Sequence, residues 1–410
     1  MTRSGSLWLT GARIIDGVGG DVERAAIEVL DGRIAGVHPG ETPPIPADAT
    51  VVDVAGRTVL PGLIDAHVHL SSYDRLPPIL RGEAPRDPAL RIFDLANGAR
   101  GLLAGGITTV RDVGSEDDHA LLLREAIRLG LTPGPRVLTC GRILSATAPG
   151  GVIFGSMYRE ADGPDEMRKA VREQIRRGAD FIKIMSTGAR SVVFEDPEPA
   201  QVTRDELRAV IDEAHRMGRR VAAHAEGLGG ARLAVEEGVD TIEHGLSLHR
   251  APDLLDAMAS AGTVLVPTLT TFHDVAATHA DHYPEVLVEQ AKRQRDDAYL
   301  TLIAAHAAGV TLAMGFDSWP PGGNALELVR MVEGGLPAMD ALVAATRGGA
   351  AACGLDDLGV VAPGAIADLV VVDGDPLADV AILTDPGRIR LVLQAGVVVA
   401  GTAGPVGPQR

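Results

Sequence analysis

From residue 61 to 315, short apolar runs rich in β-type residues alternate with stretches whose apolar positions follow a helical period. The runs fall at 61–70, 106–113, 135–140, 181–185, 220–224, 241–244, 263–268 and 310–315. Between them, 90–104, 117–129, 165–177 and 203–217 carry helical spacing. Start and stop residues agree with this division. Thr203-Arg204-Asp205-Glu206 is a capping-box pattern, and Gly163-Pro164-Asp165-Glu166 places proline and acids where a helix begins. Gly178, Gly218, Gly238, Gly262 and Gly309 each stand between a helix and a strand, where C-capping glycines belong. Eight strands, each followed by a helix, predict an α/β fold: a (β/α)8 TIM barrel over residues 61–358.

Both ends of the chain have a different texture. Leu7-Trp8-Leu9-Thr10, Ala12-Arg13-Ile14-Ile15, residues 26–30 and residues 34–37 are short strand candidates, with Asp31-Gly32 as a hairpin turn. Residues 51–54 and 58–60 continue the series, and β texture returns at 366–372, 389–393 and 397–399. A C-terminal piece of about 50 residues is marginal for a core of its own. The simplest arrangement therefore joins residues 1–60 and 359–410 in one small β domain beside the barrel.

Composition narrows the chemistry. Apolar residues make up 46% of the 410, but aromatics only 3%, so the core must be built from Ala, Val, Leu and Ile. A formal net charge of −17 speaks against nucleic acid and anionic membranes as partners. The first residues lack the apolar stretch of a signal peptide, and no run reaches the roughly 20 apolar residues of a membrane span. A soluble, cytoplasmic protein is expected. Cys140 and Cys353 are the only cysteines, so any metal must be held by nitrogen and oxygen.

Barrel active sites lie at the carboxyl ends of the strands. The first strand ends in His67 and His69, whose i, i+2 spacing sends both imidazoles to one face. The fourth contains Lys183, the fifth ends in His224, the sixth in His244, and the eighth runs into Asp317. Singly, each has an ordinary explanation: a hydrogen-bonded histidine, a snorkelling lysine, a turn-capping aspartate. Together, at one end of five strands, they indicate a metal site. His38, His119, His215, His279, His282 and His306 fall in loops or on helices and are expected to be structural or exposed. His249 and His273 follow strands six and seven and are candidates to touch substrate. Tyr158, Arg190 and Trp319 are three more: an oxyanion donor, a carboxylate clamp and a pocket wall, each with a plain packing or surface role as its alternative.

The motif words resemble the amidohydrolase superfamily. Leu60-Pro61-Gly62-Leu63-Ile64-Asp65-Ala66-His67-Val68-His69, Ile242-Glu243-His244-Gly245 and Pro363-Gly364-Ala365-Ile366-Ala367-Asp368 carry the likeness. Ile182-Lys183-Ile184-Met185-Ser186-Thr187-Gly188 and Val221-Ala222-Ala223-His224-Ala225 look like the imidazolonepropionase-related branch, with its Xaa-Pro dipeptidases (prolidases), N-acyl amino acid hydrolases and ochratoxin amidases. Two departures bear on substrate choice. Glu226 stands where a second histidine is common, and residues 145–151 after strand three lack a histidine.

The resemblance implies a composite β-sandwich from both termini and a homo-oligomer. It also implies two divalent ions, most often Zn²⁺. His67, His69 and Asp317 would hold the buried ion, His224 and His244 the exposed one, and a CO₂-derived carbamate on Lys183 would bridge them. A metal-activated water would attack, and Asp317 would relay its proton to the leaving nitrogen. The implied substrate is a small amide: an N-acyl amino acid or an Xaa-Pro-like dipeptide. A cyclic amide, carbamate, lactone or ester at the same site is the alternative, and a catalytically silent metal-binding scaffold is the third reading.

Overall fold

A computed structural model describes residues 5–71, 88–192, 194–278, 280–282, 284–318 and 322–401. The N-terminal part forms β1 (Leu7–Ile15), β2 (Asp21–Leu30), β3 (Arg33–Pro39), β4 (Thr50–Asp53) and β5 (Thr58–Pro61). Next come β6 (Leu63–Val68), β7 (Ile107–Asp112), β8 (Arg136–Thr139), β9 (Ile143–Ser145), β10 (Tyr158–Glu160), β11 (Ile182–Met185), β12 (Val221–Ala225), β13 (Thr241–His244) and β14 (Val264–Val266). The chain closes with β15 (Leu369–Val372), β16 (Ile389–Gln394) and β17 (Val397–Gly401).

Both ends share one eight-stranded sheet, ordered β17-β16-β15-β5-β1-β2-β3, with β4 paired to β1. Leu9, Ile14 and Val59 from one end and Leu369, Val371 and Leu391 from the other fill a common core. The expected hairpin is present: Leu30 pairs with Arg33, and Asp31 and Gly32 take φ of 50° and 79°, the left-handed pair a tight turn requires. Gly62 marks the handover to the second layer. Its N–H donates to Asp368 O (2.8 Å), the next N–H, on Leu63, to Gly106 O (3.0 Å), and a Cβ here would lie 2.2 Å from Thr108 Oγ1.

The remaining strands pair in parallel, as β6-β7-β8 and as β10-β9-β11-β12-β13-β14. Helices stand between them, including Pro88–Ala104, His119–Arg128, Pro164–Arg177 and Arg204–Arg216. The last starts on the expected capping box, with Glu206 N donating to Thr203 Oγ1 and Thr203 N to Glu206 Oε2. All five expected C-cap glycines have positive φ. Among the described residues, no helix is long and apolar enough to cross a membrane.

Two expectations need correction. Residues 143–145, where no strand was expected, form β9, which pairs with both β10 and β11. The eighth expected strand, 310–315, is reduced to a single parallel bridge between Leu312 and Leu265. Its backbone is still bonded on both sides. Leu265 N reaches Thr311 O and Ala313 N reaches Leu265 O, both at 2.9 Å, while Ala66 N reaches Met314 O at 2.8 Å. Met314 N turns away to Ala344 O (3.0 Å), and that diversion interrupts the regular ladder.

Candidate active site

β6 delivers His67 at its last turn of pleat, with His69 just beyond it, and each ring is held by the nitrogen it turns away from the other. His67 Nδ1 meets Glu243 Oε2 at 2.7 Å, and His69 Nδ1 meets Gly114 O at 2.8 Å. A carboxylate and a carbonyl only accept, so in each ring Nδ1 is the nitrogen placed to donate and Nε2 the one turned to the site. Those Nε2 atoms lie 3.8 and 3.7 Å from Asp317 Oδ1. Asp317 is brought there by its own N–H, which donates to His67 O at 3.0 Å, and by a left-handed backbone (φ 41°). Gly315 permits the approach, because a Cβ at that position would come within 2.8 Å of the His67 Cβ.

His244, at the end of β13, also sits at positive φ (72°), followed by Gly245 at 65°. Its Nδ1 faces Thr268 Oγ1 at 2.7 Å, and Thr268 is itself left-handed (φ 51°). Strain of this kind persists where the surroundings enforce it. Here Glu327 does so, its carboxylate taking Leu269 N (2.7 Å), Thr270 N (2.8 Å) and Thr270 Oγ1 (2.6 Å). His224, on β12, directs Nε2 to Gly188 O at 3.2 Å. The rings of His67 and His244 are 5.1 Å apart, and those of His224 and His244 4.6 Å. Ligand atoms of His67, His244 and Asp317 all lie within 4.8 Å of one another. This set draws from both expected ligand groups, so the two groups are contiguous.

Lys183, on β11, is buried, and its Nζ has no hydrogen-bond partner among the described residues. Burial lowers its amine to about 8, and lowers His67 to about 4 and His224 and His244 well below the ordinary imidazole value. The imidazoles, with His67, His224 and His244 held neutral by burial, suit a divalent cation together with a carboxylate and an amine that has no partner among the described residues. The residues present therefore fit the implied group.

These side chains floor a cavity of about 150 Å³. Ile143, Phe154, Met157, Met185, Val275 and Leu287 supply an apolar wall, and Tyr158, Arg190 and Glu226 its polar positions. Tyr158 is buried, with its ring stacked on Phe154 at 5.1 Å, and burial pushes its hydroxyl above the usual phenol value. Arg190 is no surface arginine. Its Nη1 donates to Glu226 Oε1 (3.0 Å), its Nη2 to Thr271 Oγ1 (3.2 Å), and its guanidinium lies 4.0 Å over the Phe272 ring. Glu226, the departure from the family pattern, is thus the partner of Arg190.

His249 and His273 do not line the cavity. His249 Nδ1 is taken by Thr301 Oγ1 (3.1 Å), and His273 Nε2 by Tyr299 OH. Trp319 and His279 lie outside the described residues. His119 is buried, while His215 and His306 pair with Asp240 and Asp340 near the surface. Sequence reasoning did not assign a role to Arg111 or Glu243, charged residues inside buried β runs, and that internal position was the available signal.

Imidazoles and a carboxylate beside a buried amine fit the class that the family match and the relatives define, hydrolases that act on carbon–nitrogen bonds. The chain belongs to the amidohydrolase family, whose profile matches residues 58–399. It is 29% identical to the ochratoxinase of Aspergillus niger over 423 aligned residues, covering 96% of this chain and 86% of that protein. Among solved structures, a Xaa-Pro dipeptidase with methionine bound in its active site superposes with a TM-score of 0.87 at 29% identity, covering 97% of this chain and all 100% of that one. A prolidase in complex with N-methylphosphonate-L-proline gives 0.85 at 31% identity, with 97% and 100% covered.

Proposed function

We propose that this chain is a metal-dependent hydrolase of an amide or peptide bond in a small substrate, an N-acyl amino acid or a dipeptide of the Xaa-Pro kind. The observation that carries the reading is Lys183, a buried amine with no hydrogen-bond partner among the described residues, set among four histidines and Asp317. A bare ammonium there is costly to bury. A carbamate on the same nitrogen would be an anionic oxygen ligand, and Lys183 in that form would hold the ions together with His67, His69, His224, His244 and Asp317. Bound divalent ions, zinc by the donor types, would supply an acidified water and a polarised carbonyl.

The chain's own groups do the rest. Asp317 takes the proton of the attacking water and returns it to the leaving nitrogen, which otherwise departs poorly. Arg190, held by Glu226 in the cavity wall, orients a substrate carboxylate, and Tyr158 faces the same space. The apolar wall receives a side chain and keeps bulk water out. The two-sided bonding of residues 310–317 supports a closed (β/α)8 barrel over 61–358, and the sheet shared by both ends supports one composite β domain of 1–60 and 359–410, a β-sandwich by the family resemblance. Turnover of a panel of N-acyl amino acids and Xaa-Pro dipeptides by zinc-loaded protein, beside lactones and esters, tests the reading. Cleavage of amides is required; no turnover of any amide overturns it.

A further inference from the structure

Beneath the cavity lies a buried ion pair that does not line it. Glu243 and Arg111 are almost fully enclosed, on β13 and β7. Glu243 Oε1 accepts from Arg111 Nη2 at 2.6 Å and from Thr241 Oγ1 at 2.5 Å, and Oε2 faces His67 Nδ1 at 2.7 Å. Arg111 is fixed at further points. Its Nε donates to Ala66 O (2.6 Å), the residue before His67, and its Nη1 to Thr241 Oγ1 (3.1 Å) and Ala352 O (3.3 Å). One guanidinium thus ties β6, β7 and β13 together and anchors one oxygen of the carboxylate, leaving the other for His67.

Burying such a pair rarely adds net stability, since desolvation offsets most of the attraction. Its geometry has a more specific consequence. A carboxylate that already holds two donors on one oxygen can only accept on the other, so it dictates which nitrogen of His67 bears the proton. We propose that Glu243 is a positioning residue that locks His67 in the Nδ1–H tautomer with Nε2 turned to Asp317, and that Arg111 holds Glu243 in that role. Metal affinity then depends on an ion pair that never touches the metal. The metal part of this inference rests on the proposed function; the tautomer does not.

Full-length protein carrying ¹⁵N-histidine, stripped of metal, provides the test by two-bond ¹H–¹⁵N correlation, with a His67→Asn variant assigning the ring. Wild-type His67 is expected to carry its proton on Nδ1. In Glu243→Gln the amide oxygen stays with the Arg111 and Thr241 donors and the NH₂ faces Nδ1, so the proton must move to Nε2. Zinc titration against a competing chelator should show affinity lower by roughly 10–100-fold in Glu243→Gln, the usual effect of losing such a partner. Arg111→Lys, which keeps the charge and loses the fork, should show a smaller loss in the same direction. An Nε2–H tautomer in the wild type overturns the inference whether or not a variant folds, as does unchanged zinc affinity in Glu243→Gln. A wild type that takes up no zinc refutes the functional reading, while its His67 tautomer still decides this one.

Discussion

Asn324 Nδ2 donates to Asp65 Oδ2 at 2.7 Å, linking residues 259 apart in sequence. The other oxygen of Asp65 takes the N–H groups of His67 (3.0 Å) and Phe316 (3.2 Å). One buried carboxylate therefore fastens the segment bearing His67 and His69 to the segment bearing Asp317. Asn324→Ala removes a donor to a buried carboxyl and should cost about 1–3 kcal/mol. Urea unfolding of the metal-free protein measures the cost, and zinc retention on dialysis should fall with it. Full stability and full retention would show that the link does not hold the site.

Lys183 yields a prediction of mixed sign. Lys183→Met keeps the length of the side chain but removes an amine that has no partner among the described residues. The metal-free variant should unfold at the same temperature as metal-free wild type or higher, because a buried unpaired polar group is replaced by an apolar one. Zinc content after reconstitution should nevertheless drop. A variant that is destabilised yet fully loaded would contradict both halves.

Arg190 and Glu226 form the pair inside the cavity wall. Glu226→Ala leaves the guanidinium buried without its carboxylate, at a cost of about 3 kcal/mol. Glu226→Gln, which keeps one acceptor, should lose less. On the substrate side, Arg190→Lys should raise KM for a dipeptide more than for the same dipeptide with its carboxylate amidated, with kcat less affected. Equal effects on both substrates would remove Arg190 from carboxylate recognition.

Away from the site, Glu213 sits between Arg172 (2.6 Å) and Arg216 (2.5 Å), which hold its carboxyl down at about 2 from an ordinary 4.5. The unfolded chain binds this proton more readily than the folded one, so the stabilisation is complete above pH 4.5 and is lost as pH falls toward 2. Thermal unfolding of Glu213→Gln should run below wild type near neutrality and converge with it on acidification. A gap that stays constant with pH would rule out this carboxylate as the source.

The candidate ligand residues were legible in the sequence because each ends or follows an apolar run or, for Lys183, lies within one, and the i, i+2 spacing of His67 and His69 has one meaning on a strand. Asp317 was legible from its place after the eighth run, even though that run forms only one bridge. β9 and β10 were not, since three residues are too few to show a period. The Arg111–Glu243 contact spans 132 positions, and a charge within a β run reads equally well as a solvent-facing residue. Arg190 with Glu226, 36 positions apart, joins two loops that carry no periodic signal. His249 and His273 stood at the right places in order, but the partners that take their rings, Thr301 and Tyr299, come from the long helix Glu285–Ala307, which order alone does not place.

The most direct test of the central claim is metal content measured alongside amide hydrolysis in the same samples, as chelator-stripped protein is reloaded with zinc in the presence of bicarbonate. Activity should be absent in the stripped protein and should rise to a plateau at about two ions per chain, as a two-metal site requires. Stripped protein that hydrolyses the amide as fast as the reloaded sample would contradict the account.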